Sequence, residues 1–180
     1  MGHKILIYLL RRDLRLSDNP VFHEVSQILS AKTEAQFTHL LPLYIFSASQ
    51  IEISGFRNIT DEDEPWPFPE ARSRIGRFWR CGPHRAKFLA ESVWDLKQSL
   101  ENVGSGLCIR AGEPEEIIKD ALESYENFKG QEYSAEIVGV WMTAEEGTEE
   151  KQEERNIRKL VEGFKKEFRL FRDEKYFVDE

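Results

Sequence analysis

The stretch Lys4-Ile5-Leu6-Ile7-Tyr8-Leu9-Leu10 passes directly into Arg11-Arg12-Asp13-Leu14-Arg15-Leu16-Ser17-Asp18-Asn19-Pro20. A short, continuous apolar run of this kind reads as a strand buried on both faces. The charged segment behind it is a loop. Asn19 and Pro20 then mark a helix start: the Asn side chain caps free N–H groups, and proline at the first helical position lacks only an N–H that has no partner there. The helix is predicted to carry Val21, Val25, Ile28 and Leu29 inward. Strand, charged loop and helix together form the repeating unit of an α/β domain on a mainly parallel sheet.

The unit recurs along the chain. Residues 39–46 form a second apolar run, in which Pro42 suggests an irregular beginning. Residues 47–70 read as a long loop, because the acids at 61–64 and the prolines at 65, 67 and 69 defeat both ladders and helix interiors. A connection that long inside a domain is uncommon. From Pro83 to Val103, the residues Leu89, Val93, Leu96, Leu100 and Val103 fall on one helical stripe, and Gly104-Ser105-Gly106 ends it. A third strand is predicted over 107–110. A helix near Pro114 follows, carrying Ile117, Ile118, Ala121, Leu122, Tyr125 and Phe128. The fourth strand spans 136–142, and an acidic helix over about 149–168 turns Ile157, Leu160, Val161, Phe164 and Phe168 inward. A fifth strand lies near 169–172. The fold class is therefore α/β: a Rossmann-like, doubly wound, five-stranded parallel sheet with helices on both faces.

Composition agrees with one domain over residues 1–180. At 40% hydrophobic residues the chain can fill a core, and a chain of this mass buries about 70% of its unfolded surface. The net charge of −8 argues against non-specific binding of phosphate backbones by the chain as a whole. Two cysteines, Cys81 and Cys108, suit free thiols in a reducing compartment and point to an intracellular protein. No apolar run reaches the roughly 20 residues of a membrane span. The first residues lack the character of a secretory or transit signal.

Ligands of such sheets collect beyond the carboxyl ends of the strands, here the loops 11–19, 47–82, 111–114 and 143–149. No phosphate loop of the G-x-x-x-x-G-K-[ST] or G-x-G-x-x-G type follows a strand, which removes most support from ATPase and dehydrogenase readings. Residues 71–90 hold Arg72, Arg74, Arg77, Arg80, Arg85 and Lys87 with Phe78 and Trp79 interleaved and no acid. Such a mixture can bind phosphates and stack on a flat ring, or its guanidiniums can simply pair with acids elsewhere. Glu145, Glu146, Glu149, Glu150, Glu153 and Glu154 crowd the start of the last helix. Acids there match the helix dipole. They can equally accept the amino and ring N–H donors of a pterin-like ring. The histidines show no nucleophile motif, a metal lacks ligands, and Trp94 and Trp141 read as core or interface residues.

These residues resemble a known family. The opening strand with Arg12-Asp13-Leu14-Arg15-Leu16-Ser17-Asp18-Asn19 resembles the D-L-R-x-x-D-N start of the photolyase/cryptochrome family. Cys81-Gly82-Pro83-His84-Arg85-Ala86-Lys87-Phe88-Leu89 and Ser92-Val93-Trp94-Asp95-Leu96 are similar to DASH-type cryptochromes, the fungal ones in particular. Arg110-Ala111-Gly112-Glu113-Pro114-Glu115-Glu116 is similar to the family's R-x-G-x-P-E-E segment.

The resemblance implies an N-terminal antenna domain whose FAD-binding helical domain is absent, so that the chain alone neither repairs DNA nor photoreduces a flavin. It implies a methenyltetrahydrofolate antenna that absorbs near-ultraviolet light and passes excitation to that flavin. It places the pterin-holding glutamate at Glu150, then Glu149, then Glu146, with Phe46 and Ser47 at the pocket wall. Leu9-Leu10 and Ser47-Ala48 depart from the family pattern. The missing half implies weak folate binding by this chain, since contacts worth about 3 kcal/mol are a hundredfold in affinity. The implied partners are the chain's own FAD domain and, through the intact protein, single-stranded DNA, with self-association through an uncovered face. The competing reading is a truncated interaction module that docks through residues 72–87.

Overall fold

The structure is a computed structural model that describes residues 2–31, 36–52, 67–68, 70–73, 75–127 and 135–172. Within them the chain alternates strand and helix: β1 (His3–Leu10), α1 (Pro20–Ser30), β2 (His39–Ser47), α2 (Pro83–Asn102), β3 (Cys108–Gly112), α3 (Pro114–Asn127), β4 (Ala135–Thr143), α4 (Thr148–Gly163) and β5 (Glu167–Phe171). The strands lie in the order β3-β2-β1-β4-β5, every neighbouring pair parallel. That is the doubly wound α/β arrangement the residue pattern predicts.

β1 is the centre of the sheet, and its alternation divides the core. Leu6, Tyr8 and Leu10 face one side with Tyr44, Phe46 and Trp141, where Val21 and Val25 of α1 and Val93, Leu96 and Leu100 of α2 close over them. Ile7 and Leu9 face the other side with Leu43, Ile45, Val140 and Met142, beneath Ile118 and Leu122 of α3 and Ile157 and Val161 of α4. Each such side chain, fully buried, contributes about 1.5–3 kcal/mol. A register shift between Ile5 and Leu6 skips Val138 on β4. The extra residue explains why Ile137 and Val140 share a face although they are three apart.

Asn19 does what its position predicts: its Oδ1 accepts from Val21 N at 3.0 Å and Phe22 N at 3.1 Å. Its Nδ2 donates to the Tyr8 hydroxyl at 2.9 Å and to Asp13 Oδ2 at 3.4 Å. Arg15 grips Asp13 with two donors, Nε at 2.8 Å and Nη2 at 3.0 Å. The acids and amides of the 13–19 loop therefore build the β1–α1 turn.

Some expectations are corrected. Leu29 is 55% exposed, because Val21, Val25 and Ile28 already fill the α1 stripe and position 29 falls at its edge. Val103 is 67% exposed: it is the C-cap of α2, beyond the packed turns, and Gly104 at φ +78° turns the chain away. Of the two tryptophans read as core or interface residues, Trp141 is in the core and Trp94 is on the outside. The last helix ends at Gly163, where Phe164 caps it and Lys165 reverses the chain at φ 57°, so Phe168 belongs to β5, which begins at Glu167. Phe128 lies outside the described residues, as do 53–66 of the long connection.

Candidate functional site

Strand order reverses between β1 and β4, and an α/β sheet opens a crevice beyond the carboxyl ends of the strands at such a point. The cleft there has a volume of about 520 Å³, within the range of small-molecule sites. It is walled by the ends of β1 and β2, the segment entering α2, the start of α3 and the first turns of α4. Tyr44, Ile51, Phe88 and Leu89 supply apolar surface. Burial pushes the Tyr44 hydroxyl up to about 12, with Cys81 adding to the shift and the Arg85 guanidinium opposing it.

Arg11 anchors the cleft floor. One more step of the β1 alternation puts position 11 on the α4 side, and its side chain is 9% exposed. Nη2 donates to the Thr143 carbonyl at 2.5 Å, and Nη1 donates to the Glu150 carbonyl at 3.2 Å and to Glu153 Oε1 at 3.5 Å. One guanidinium thus ties the ends of β1 and β4 to the first turns of α4. Burial pushes the Glu153 carboxyl above its ordinary value, against the pull of Arg11. Burial likewise raises Glu113, helped by Glu115 and Glu116 and opposed by hydrogen bonds from Ser49. Arg11 Nε and Thr143 Oγ1 are buried without a hydrogen-bond partner among the described residues.

The glutamates singled out from the sequence divide. Glu149 and Glu150 line the cleft. Glu150 is paired with Arg12, and a Cβ on the N-cap residue Gly147 would overlap its carboxylate, so glycine there leaves the room that carboxylate occupies. Glu149 is paired with Arg80 and accepts from Gln50 Nε2 at 2.9 Å. Glu146 is exposed and outside the cleft lining, where Lys151 Nζ donates to it at 2.7 Å and holds it below the usual carboxylate range. Ser47 lines the cleft with its Oγ 2.9 Å from Ser49 Oγ. Phe46 does not line it: it is buried behind Tyr44, ring centroids 5.0 Å apart, in the layer under α1 and α2.

The basic 72–87 segment largely pairs with acids. Arg72 Nε lies 2.8 Å from Glu70 Oε2 and Arg77 Nη2 3.6 Å, while Arg72 also stacks over Trp79 at 3.7 Å. Reading the sequence missed Arg11, Gln50 and Glu113, and took Glu153 only as one of the acidic cluster. Only Arg11 left a signal, as the first residue after a central strand. Among the described residues no group of three or more His, Cys, Asp and Glu is placed to hold a metal, and no helix is long and apolar enough to cross a membrane.

Residues 6–174 match the family model described as DNA photolyase. The chain belongs to the DNA photolyase family. Within it, the sequence is 44% identical over 179 residues to the "Putative cryptochrome DASH" of Gibberella zeae, covering 99% of this chain and 24% of that protein. It is 45% identical over 175 residues to the Neurospora crassa protein of the same name, designated mitochondrial, covering 97% of this chain and 22% of that one. A cryptochrome from Synechocystis superposes with a TM-score of 0.68 at 22% identity, over 95% of this chain and 28% of its own. An archaeal photolyase from Sulfolobus tokodaii, described with two FAD molecules and the implication of a novel light-harvesting cofactor, superposes with a TM-score of 0.57 at 18% identity, over 94% of this chain and 29% of its own. This photolyase-family chain spans about a quarter of the length of these two fungal relatives.

Proposed function

We propose that the chain is the antenna-chromophore-binding domain of a DASH-type cryptochrome, and that its cleft holds methenyltetrahydrofolate for a flavin carried by a helical domain of the intact protein. The observation that carries the reading is the pair Glu149 and Glu150 on the wall of a half-apolar cleft at the strand-order reversal. Bound there, the folate would supply near-ultraviolet absorption and pass its excitation to the flavin.

The residues fit such a group. A carboxylate offers two acceptors to the paired amino and ring N–H donors of a pterin. Glu150 is the better placed, with its side chain 19% exposed and Gly147 beside it leaving space. Its present partner Arg12 has a side chain 56% exposed, and an ion pair with so exposed a member is worth roughly 0–1 kcal/mol, so exchange for ring donors is cheap. Tyr44 and Leu89 offer apolar surface to a flat ring, and Arg11 keeps the α4 turn in place. The Sulfolobus tokodaii relative makes a flavin the other candidate guest.

Titration with methenyltetrahydrofolate, followed by ligand fluorescence, tests this. Saturable binding that Glu150→Ala weakens at least tenfold, and that Glu146→Ala leaves alone, is the expected result. Binding indifferent to Glu150 and Glu149, or preferred binding of a flavin at the same cleft, overturns the assignment of the guest.

A further inference from the structure

His3 and His39 open β1 and β2, at the end of the sheet away from the cleft. The register sets Ile5 opposite His39, and strand alternation puts His3 on the face of Ile5. Two exposed histidines far apart in sequence therefore meet diagonally across one strand pair. Their ring centres lie 4.7 Å apart with the planes at 84°. An edge-to-face contact alone would suit any two rings. The hydrogen bonds around His39 are more specific, because they fix which of its nitrogens is free. Thr38 Oγ1 accepts from Lys4 N at 2.9 Å, donates to the Lys4 carbonyl at 3.1 Å and lies 2.8 Å from His39 Nδ1. A hydroxyl has one proton and two lone pairs, so all three contacts hold together only if Nδ1 carries the ring proton. Nε2 then bears the lone pair, and no described residue donates to it. An imidazole held through Nδ1–H with Nε2 open is the arrangement of a metal-ligating histidine. His3 makes no side-chain hydrogen bond among the described residues, so its ring turns easily about χ2.

With metal–nitrogen bonds of about 2.0–2.1 Å, two imidazoles on one ion have their ring centres roughly 4.5–5 Å apart. The two rings already stand at that separation. We infer that His3 and His39 form an open, two-imidazole site for a borderline divalent metal, copper(II) ahead of nickel(II) and zinc(II), with Thr38 orienting His39. Imidazole suits these metals, and copper(II) leads the divalent affinity order. Magnesium and calcium take oxygen ligands and are not expected there. Among the described residues no third ligating side chain joins the pair, so water completes the coordination. Glu136, opposite Lys4 in the β1–β4 register, is engaged by Lys166 Nζ at 2.7 Å. The site shares no residue with the cleft and stands whatever the cleft holds.

The test is a copper(II) titration of the 180-residue chain with its amino group acetylated, so that the terminal amine cannot serve as a ligand. Binding is followed by calorimetry, and electron paramagnetic resonance counts the nitrogens coupled to the bound copper. One ion coupled to two imidazole nitrogens is expected, and millimolar magnesium should not displace it. His3→Gln and His39→Gln should each weaken binding at least tenfold and leave one coupled nitrogen; both positions are exposed, and an unchanged thermal midpoint checks the fold. Thr38→Val should weaken binding about tenfold, as loss of an orienting partner does, and Thr38→Ser should restore it. The histidine variants decide the outcome if Thr38→Val disturbs the start of the β1–β2 pairing. Binding that survives either histidine substitution, a single coupled nitrogen in the unsubstituted chain, or displacement by magnesium overturns the inference, the last because surface carboxylates would then hold the ion. Full affinity in a folded Thr38→Val chain overturns the role given to Thr38.

Discussion

Replacing Arg11 by Met removes the cleft's floor. The substitution keeps an apolar stem of similar length but deletes the donors to the Thr143 and Glu150 carbonyls and the cation beside Glu153. Breaking a buried ion pair by removing one member costs about 3–5 kcal/mol. The Arg11–Glu153 contact is long, at 3.5 Å, and Glu153 keeps 24% of its side-chain surface, so the lower end applies, about 3 kcal/mol. For a domain of this size that is a fall of about 6–12 °C in Tm. The loss depends on pH in a definite sense. Burial already raises the Glu153 carboxyl in the folded state, and removing Arg11 raises it further. A carboxyl whose folded pKa lies above its unfolded value binds more protons in the folded state, so stability falls as pH rises from its ordinary value through the folded one. In the variant that window extends to higher pH, so its deficit is largest at the alkaline end and shrinks on acidification. Urea unfolding of both proteins across pH 5.5–8 measures this. A deficit below 1 kcal/mol at pH 8, or one that grows on acidification, refutes the role given to Arg11.

Asn19→Ala removes both the α1 cap and a buried bond to Tyr8, so urea unfolding should show a loss of about 1.5–3 kcal/mol, with Asn19→Ser recovering the cap portion. Gly139→Ala sets a Cβ 2.8 Å from the Glu167 carbonyl oxygen, a backbone atom of β5, and should cost about 1–3 kcal/mol while speeding amide exchange in β5 ahead of β1. Glu113→Gln removes a carboxylate whose pKa burial and its glutamate neighbours raise. It should therefore lift Tm slightly at alkaline pH, and by less as the pH falls and Glu113 takes up its proton.

The fold was legible wherever one local rule acted alone. Ile5–Leu10 has too many consecutive apolar residues for any place but the sheet centre, and Asn19-Pro20 starts a helix whatever lies around it. Errors came at element ends, where competing rules meet. Val103 continues the α2 period but follows its last packed turn, and Phe168 continues the α4 period across a left-handed Lys165. The site was half legible. An acidic first turn after the fourth strand marks Glu149 and Glu150 as one cluster, whereas Phe46, on the same face of β2 as the cleft-lining Tyr44, is taken up by the packing under α1 and α2. Arg80 and Glu149 meet across 69 residues of sequence, and Arg11 reaches Glu150 across 139. Those pairings follow from strand order, which periodicity does not encode. The basic segment illustrates the same point: its composition suits an anion-binding surface, yet Arg72, Arg77 and Arg80 find carboxylates in the fold.

A crystal of the chain soaked in millimolar methenyltetrahydrofolate, a concentration that offsets the contacts a second domain would add, places the guest directly. The account expects ring density in the cleft between Tyr44 and α4, with the pterin donors on Glu150 or Glu149 and Arg12 or Arg80 swung away. Density elsewhere on the surface, or a filled cleft in which both arginine–glutamate pairs persist and the ring touches neither carboxylate, contradicts it.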